Sequence, residues 1–382
     1  MGLTTGERVQ AVVDYGFTER EARFLVLVMR HGGLCVKRQY AALAGIANGG
    51  DRCNALFDKL TRRGFAVGVD CIHNRARLFH VHHKPLYHAV GEGDSRYRRA
   101  LAARAVTERL MRLDAALVSP ELDWLTTRPE HLAYVAARIA STSSQTTVQP
   151  PAGDRVDLPA GTFPIGVDPT GRVVLVYVAT KPWTDDFRFF LGAHLRLLTV
   201  TETWTLRVVF PPSLRRVVVD YRNAVHEELE SRLDEQTIND LSWYFFHTRR
   251  RTDWSEYKSA GSDAIKARFA RCLKTFAGPR FAHLYRRWLT EDHTAFTPIP
   301  LVVSEAFATE RASLECIVLP YDYEHFSPLV NRRHSTRRRV TADAEEGADV
   351  QRGINRPLNR VVNPSHIRQR RITATMVAGT RR

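Results

Sequence analysis

The chain has no Gly-x-x-x-x-Gly-Lys, no Gly-x-Ser-x-Gly and no His-Glu-x-x-His. These gaps exclude the phosphate-cradling loop of nucleotide hydrolases, the nucleophile elbow of serine hydrolases and the zinc helix of metalloproteases. Cysteine is scarce. Cys35, Cys53, Cys71, Cys272 and Cys316 form an odd, widely spaced set with no Cys-x-x-Cys pair. Such a set fits neither a disulfide framework nor the spacing of a zinc site, and it points to a reducing, cytoplasmic compartment. No apolar run approaches the ~20 residues of a membrane span, and Met1 to Gln10 is too polar for a secretory leader. No membrane partner is therefore expected.

Acidic residues are the minority charge, 41 against 56 basic ones, so the formal net charge is +15. The pI is about 10.0. An excess of this size calls for a polyanionic partner. It is unevenly spread: between Asn331 and Arg382, 13 arginines meet only Asp343, Glu345, Glu346 and Asp349. That segment, 331–382, is expected to be a disordered basic tail, either a DNA-clinging arm or a solubilising extension.

The most organised stretch runs from Thr18 to His83. Thr18-Glu19-Arg20-Glu21 has the form of a capping box, and Ala22, Leu25, Val26 and Met29 follow at helical spacing until Gly32-Gly33. A second helix fits Val36 to Ala44. Asp51 is expected to cap a third, Arg52 to about Arg63, whose Cys53, Leu56, Phe57 and Leu60 share one buried face. Arg52, Asn54, Asp58, Lys59, Arg62 and Arg63 are then left outside. Phe65 to Val69 alternates as a strand, and Arg77 to His83 returns from a tip containing Arg75. Three helices and a hairpin in this order predict a winged helix-turn-helix at 1–94. Such a fold reads duplex DNA with its third helix and touches phosphate with its wing. The candidate DNA contacts are Arg52, Asn54, Lys59, Arg62 and Arg63 on the helix, and Arg75 and Arg77 on the wing. Used for protein contact alone, the same charges would be a solvated face.

Residues 95–140 are expected to form a helical connector. Ser95 would cap a long helix to about Leu117, with Val106, Leu110, Leu113 and Leu117 as a stripe. The stripe either packs on the N-terminal domain or forms a homodimer seam. A second helix fits Glu130 to Ala140, and 141–153 is the linker, rich in Ser, Thr, Gln and Pro. In 154–212, Phe163 to Asp168 reads as a strand, Asp168-Pro169-Thr170-Gly171 as a tight turn, and Arg172 to Thr180 as a strand apolar on both faces. A helix with Phe187, Phe190, Leu191, His194, Leu195 and Leu198 on one side follows, then a strand from Trp204 to Phe210. His194 is expected to be a hydrogen-bonded core residue. Region 213–330 reads as helices. Within it, Trp243 to Phe246 beside His247 to Arg251 reads as a buried helix end with a basic loop.

This succession resembles the replication-relaxation family of mobile genetic elements, whose second half is similar to the PD-(D/E)XK nuclease core. The resemblance lies in Phe17 to Arg63, in Phe163 to Asp168 through Val174 to Val178, and in the helix from Phe187 to Leu198. It implies DNA binding in replication, transfer or transcription control. Metal-dependent cleavage would need two carboxylates and a lysine. Asp168 and Lys181 are the candidates, with magnesium as cofactor, but Ala179 stands where the second acid belongs. The expectation is a multidomain α+β protein that binds double-stranded DNA, with a nuclease-like domain that is not an enzyme and no cofactor. The alternatives are a PD-(D/E)XK-type nuclease and a protein-interaction scaffold.

Overall fold

A computed structural model describes residues 3–46, 50–71, 77–99, 102–143, 164–250 and 263–326. The tail beyond Asn331, the 141–153 linker apart from the end of its preceding helix, and the tip bearing Arg75 lie outside them. The chain divides into Met1–Val330 and Asn331–Arg382, and the first unit is a mixed α+β body. No helix among the described residues is long and apolar enough to cross a membrane.

Helices α1 (Thr5–Val13) and α2 (Glu19–His31) both begin with complete capping boxes, on Thr4 with Glu7 and on Thr18 with Glu21. β1 (Leu34–Cys35), α3 (Lys37–Ala44), α4 (Asp51–Arg62), β2 (Ala66–Asp70) and β3 (Arg77–Val81) follow. The three strands form a sheet in the order β1-β3-β2. β2 and β3 pair antiparallel from Ala66↔Val81 to Asp70↔Arg77. Phe24, Leu25, Met29, Leu56, Phe57 and Leu60 fill the core beneath. Gly50, not Asp51, occupies the cap of α4; Asp51 instead places its charge in the first turn, where the helix dipole favours an acid.

A short helix α5 (Lys84–Ala89) precedes the connector, which departs from its expected form. Of the long helix expected from Ser95 to Leu117, only α6 (Val106–Leu117) is α-helical; Arg96–Arg98 and Ala103–Ala105 are isolated 3-10 turns. The His80 ring is hydrogen-bonded to the Tyr97 carbonyl at 2.7 Å, which ties the first of these turns to β3. The stripe on α6 is not a dimer seam either. Val106, Leu110 and Leu113 are fully buried inside the chain.

The second sheet has five strands in the order β4-β5-β6-β7-β8. They are β4 (Asp123–Leu125), β5 (Ile165–Val167), β6 (Val173–Val178), β7 (Trp204–Phe210) and β8 (Ala312–Val318). β4, β5 and β6 run antiparallel, while β6, β7 and β8 run parallel. Helix α7 (Arg128–Ser143) separates β4 from β5, and α8 (Asp185–Val200) crosses from β6 to β7. β8 lies in the region read as helical throughout, and β4 lies in the connector, so the sheet draws on more chain than 154–212. Val173, Leu175 and Tyr177 face α8 and α9 (Val218–Val225). Val174, Val176 and Val178 face α6, and the same cluster takes in Leu34 and Leu78 of the first sheet and Val36, the residue before α3. Both faces of β6 are thus covered, as its apolar run requires. Helices α10 (Glu235–Arg250), α11 (Asp263–Thr275) and α12 (Pro279–Glu291) pack around Phe245, Phe276 and Trp288; a short α13 (Leu301–Ser304) leads toward β8.

Candidate nucleic-acid interface

Helix α4 is amphipathic. Cys53, Leu56, Phe57 and Leu60 are buried, while Asp51, Asn54, Ala55, Asp58, Thr61 and Arg62 are exposed. Asn54 accepts a hydrogen bond from Lys37 Nζ at 2.6 Å. Lys37 is the first residue of α3 and was not among the expected contacts. Its only signal in the sequence was its place at the start of the second helix, and its meeting with α4 depends on the turn between them. Arg62 donates through Nε to the Asp58 carbonyl at 3.3 Å, a bond within its own helix that leaves the rest of the guanidinium outward.

Other expected contacts are structural pins. Lys59 is not on the open face: its Nζ lies 2.9 Å from Glu21 and 4.6 Å over the Phe17 ring, tying α4 to α2. A lysine whose ammonium is held this way has little left for a phosphate. Arg63 donates to the Tyr15 carbonyl at 3.2 Å and so holds the end of α4 against the α1–α2 turn. Arg77 is exposed and pairs with Asp70 at 3.2 Å across the hairpin. The Arg52 backbone is the first turn of α4, but its side chain, like Arg75, lies outside the description. The structure thus groups Lys37, Asn54 and Arg62 along one face and sets Arg77 apart on the hairpin.

The residues weighed for nuclease chemistry are not brought together. Asp168 precedes β6 and Lys181 follows it, so the six residues of that strand separate them, about 20 Å at the usual rise. Asp168 Oδ1 accepts from the Thr170 hydroxyl at 2.6 Å, the Thr170 amide at 2.8 Å and the Arg172 amide at 2.9 Å. The Thr170 hydroxyl, with the two amides, holds its carboxyl below the ordinary range. Gly171 completes the turn with φ +83°, a conformation that glycine adopts without strain. Lys181 pairs with Asp186, and Ala179 is wholly buried. Asp168 is thus a single carboxylate with one oxygen spent on its turn, and the second acid and the lysine that a two-acid magnesium site needs do not join it. No cluster of three His, Cys, Asp or Glu residues suited to a metal occurs among the described residues.

His194 is buried, its Nδ1 2.8 Å from the Phe190 carbonyl, and burial pushes its pKa down to about 4. Tyr221 is buried as well and donates to the Lys181 carbonyl at 2.9 Å. Tyr244 and Phe245 belong to the helical core, and Arg268 lies 4.3 Å over the Trp243 ring.

A buried charge cluster joins the N-terminal helices to α7. Arg30 donates to the Trp124 carbonyl at 2.9 Å and to Glu130 at 2.7 Å, and its Nε lies 3.5 Å from Glu92. Arg8 pairs with Glu130 at 2.7 Å. Burial raises Glu92 to about 7, against the pull of Arg30. Burial also pushes Glu130 up, but Arg30 and the amides of Thr126 and Thr127 outweigh it and bring this carboxyl to about 2.

The chain matches no protein-family model, no curated protein and no solved structure.

Proposed function

We propose that this protein binds duplex DNA through a winged helix-turn-helix, inserting the open face of α4 into the major groove and resting the β2–β3 hairpin on the backbone. The observation that carries the reading is the free outer face of α4 in a body ordered helix, strand, helix, helix, hairpin with sheet order β1-β3-β2. Helices of this kind read base edges from their exposed face. Asn54 suits bidentate contact with adenine and Arg62 with guanine, while Lys37 suits a phosphate beside them. On this reading the second body is nuclease-like in its hairpin, crossover helix and parallel strand, and serves as a scaffold without cleaving. The replication-relaxation resemblance agrees with such a division.

The test is a titration of a labelled duplex pool with the full chain at several salt concentrations. Affinity should fall steeply with salt as counterions are released. Asn54→Ala and Arg62→Ala should each cost about 1–3 kcal/mol on a selected site and relax its sequence preference. Binding that is indifferent to both variants would move the contact elsewhere and sink the assignment to α4.

A further inference from the structure

The carboxyl ends of the parallel strands β6 and β7 carry a second patch with no part in the α4 reading. The loop leaving β6 exposes Lys181 and Trp183, the latter 55% open to solvent. The loop leaving β7 exposes Arg215 and Arg216, for which no ion pair occurs among the described residues. The two loops are tied together. Tyr221, on the helix that follows Arg216, donates its hydroxyl to the carbonyls of both Lys181 (2.9 Å) and Trp183 (3.3 Å). Lys181 Nζ lies 5.8 Å from the Trp183 ring centroid. The acids nearby are largely spent: Asp186 pairs with Lys181 and Asp185 pairs with Arg286 at 2.6 Å. Asp220 stays exposed on the same helix as Val219. Beyond β8 lie the exposed acids Asp322 and Glu324.

We infer that this edge holds a single nucleic-acid strand, with one base stacked on Trp183 and the phosphates beside it on Arg215 and Arg216. A large ring left more than half exposed near one cation, on a loop tied to the helix that follows two more, is costly to keep in water and suits a flat aromatic partner with an attached anion. Duplex DNA offers no free base face along its length, so the ring selects an unpaired strand. Crevices outside the carboxyl ends of parallel strands are where open α/β sheets collect ligands, because each loop there leaves a strand in the same direction. The inference does not depend on α4: the two contacts use different residues on different sheets.

The test is fluorescence anisotropy of the full chain with oligo-dT and oligo-U of about 20 nucleotides, long enough to exceed one binding groove, beside a duplex of equal length. Trp183→Ala should weaken single-strand binding about tenfold, and Trp183→Phe should retain most of it, because the stacking surface is kept. Arg215→Ala with Arg216→Ala should flatten the single-strand salt slope by about 1.4. Duplex binding should be spared by these variants and reduced by Asn54→Ala and Arg62→Ala, which separates failure of this proposal from failure of the α4 assignment. Single-strand binding that is absent at low salt, or unchanged in Trp183→Ala and in the double arginine variant, would overturn the inference. So would light scattering showing that Trp183→Ala converts a dimer to a monomer, since the patch would then be a contact between copies of this chain.

Discussion

The two sheets of this protein are built at different ranges, and they treat their polar residues differently. The three-stranded sheet closes between Leu34 and Val81, and its helix α4 packs one face inward and leaves the other to solvent. The five-stranded sheet collects strands from Asp123 to Val318 and is covered on both faces. Its polar groups are mostly spent on closing the structure. Asp168 holds a turn, and Arg207 bonds Glu315 across β7 and β8. Arg172 reaches the Trp204 carbonyl. In the first body α4 keeps Asp51, Asn54, Asp58 and Arg62 outward while Lys59 and Arg63 are pinned; in the second sheet Asp168, Arg172 and Arg207 are all bonded to neighbouring strands or turns. The DNA contact we propose uses that outward face of α4.

The two sheets are nonetheless joined by α6 in a shared core, and that joint can be broken directly. Leu110 is fully buried in the cluster that contains Leu34 and Leu78 on one side and Val174 and Val176 on the other. Leu110→Ala should cost about 4 kcal/mol, within the range for large-to-small changes in a packed core. Residues 1–330 should still unfold in one transition. Two separated transitions in calorimetry would show that the bodies are independent.

The charge cluster between α2 and α7 sharpens the same point through pH. Glu92 has a folded pKa of about 7 against an ordinary 4.5. Between those values the folded state keeps a proton that the unfolded state has lost, so stability falls as pH rises through the window. Glu130 has the opposite sign. Its folded value is about 2, so its contribution is complete above 4.5 and is lost as pH falls toward 2. At pH 8, Glu130→Gln should destabilise by about 2 kcal/mol, because Arg8 and Arg30 lose their charged partner. Glu92→Gln should instead stabilise by up to about 2 kcal/mol at pH 8 and do little below pH 4.5. Denaturant titrations of both variants at the two pH values check the pair; equal signs at pH 8 would refute the opposition.

How far the sequence could be read follows from the same difference in range. The N-terminal helices were legible because capping boxes, helical spacing and stop signals all lie within a few residues of one another. β6 was legible from its continuous apolar run. β8 was not: its strand character depends on pairing with β7, whose Trp204 sits opposite Ala312, and helices intervene. β4 is three residues long, too short for alternation to register. Lys59 looked like a surface cation because its ion pair with Glu21 comes from another helix, and spacing along α4 alone cannot show it. The Asp168 turn was plain, since Asp-Pro-Thr-Gly is a local signal.

That turn gives the smallest expected effect and the sharpest contrast with α4. Asp168 Oδ1 gathers three donors within the span Asp168 to Arg172, and bonds of this kind are worth little net individually because water replaces them in the unfolded chain. Asp168→Ala should therefore cost about 1 kcal/mol at neutral pH. The stability that the carboxylate contributes is present above its ordinary pKa of 3.8 and is lost as pH falls through its lowered folded value, so the variant and the parent should converge in strong acid. Duplex binding should be unchanged, because the turn shares no element with α4. With plasmid DNA in magnesium or manganese, parent and variant should behave alike, as Asp168 has its Oδ1 engaged in the turn and two-acid metal coordination needs a second carboxylate, for which the sequence puts Ala179 instead. Cleavage by the parent that disappears in a folded Asp168→Ala variant would reverse the comparison and make the second sheet the catalytic one.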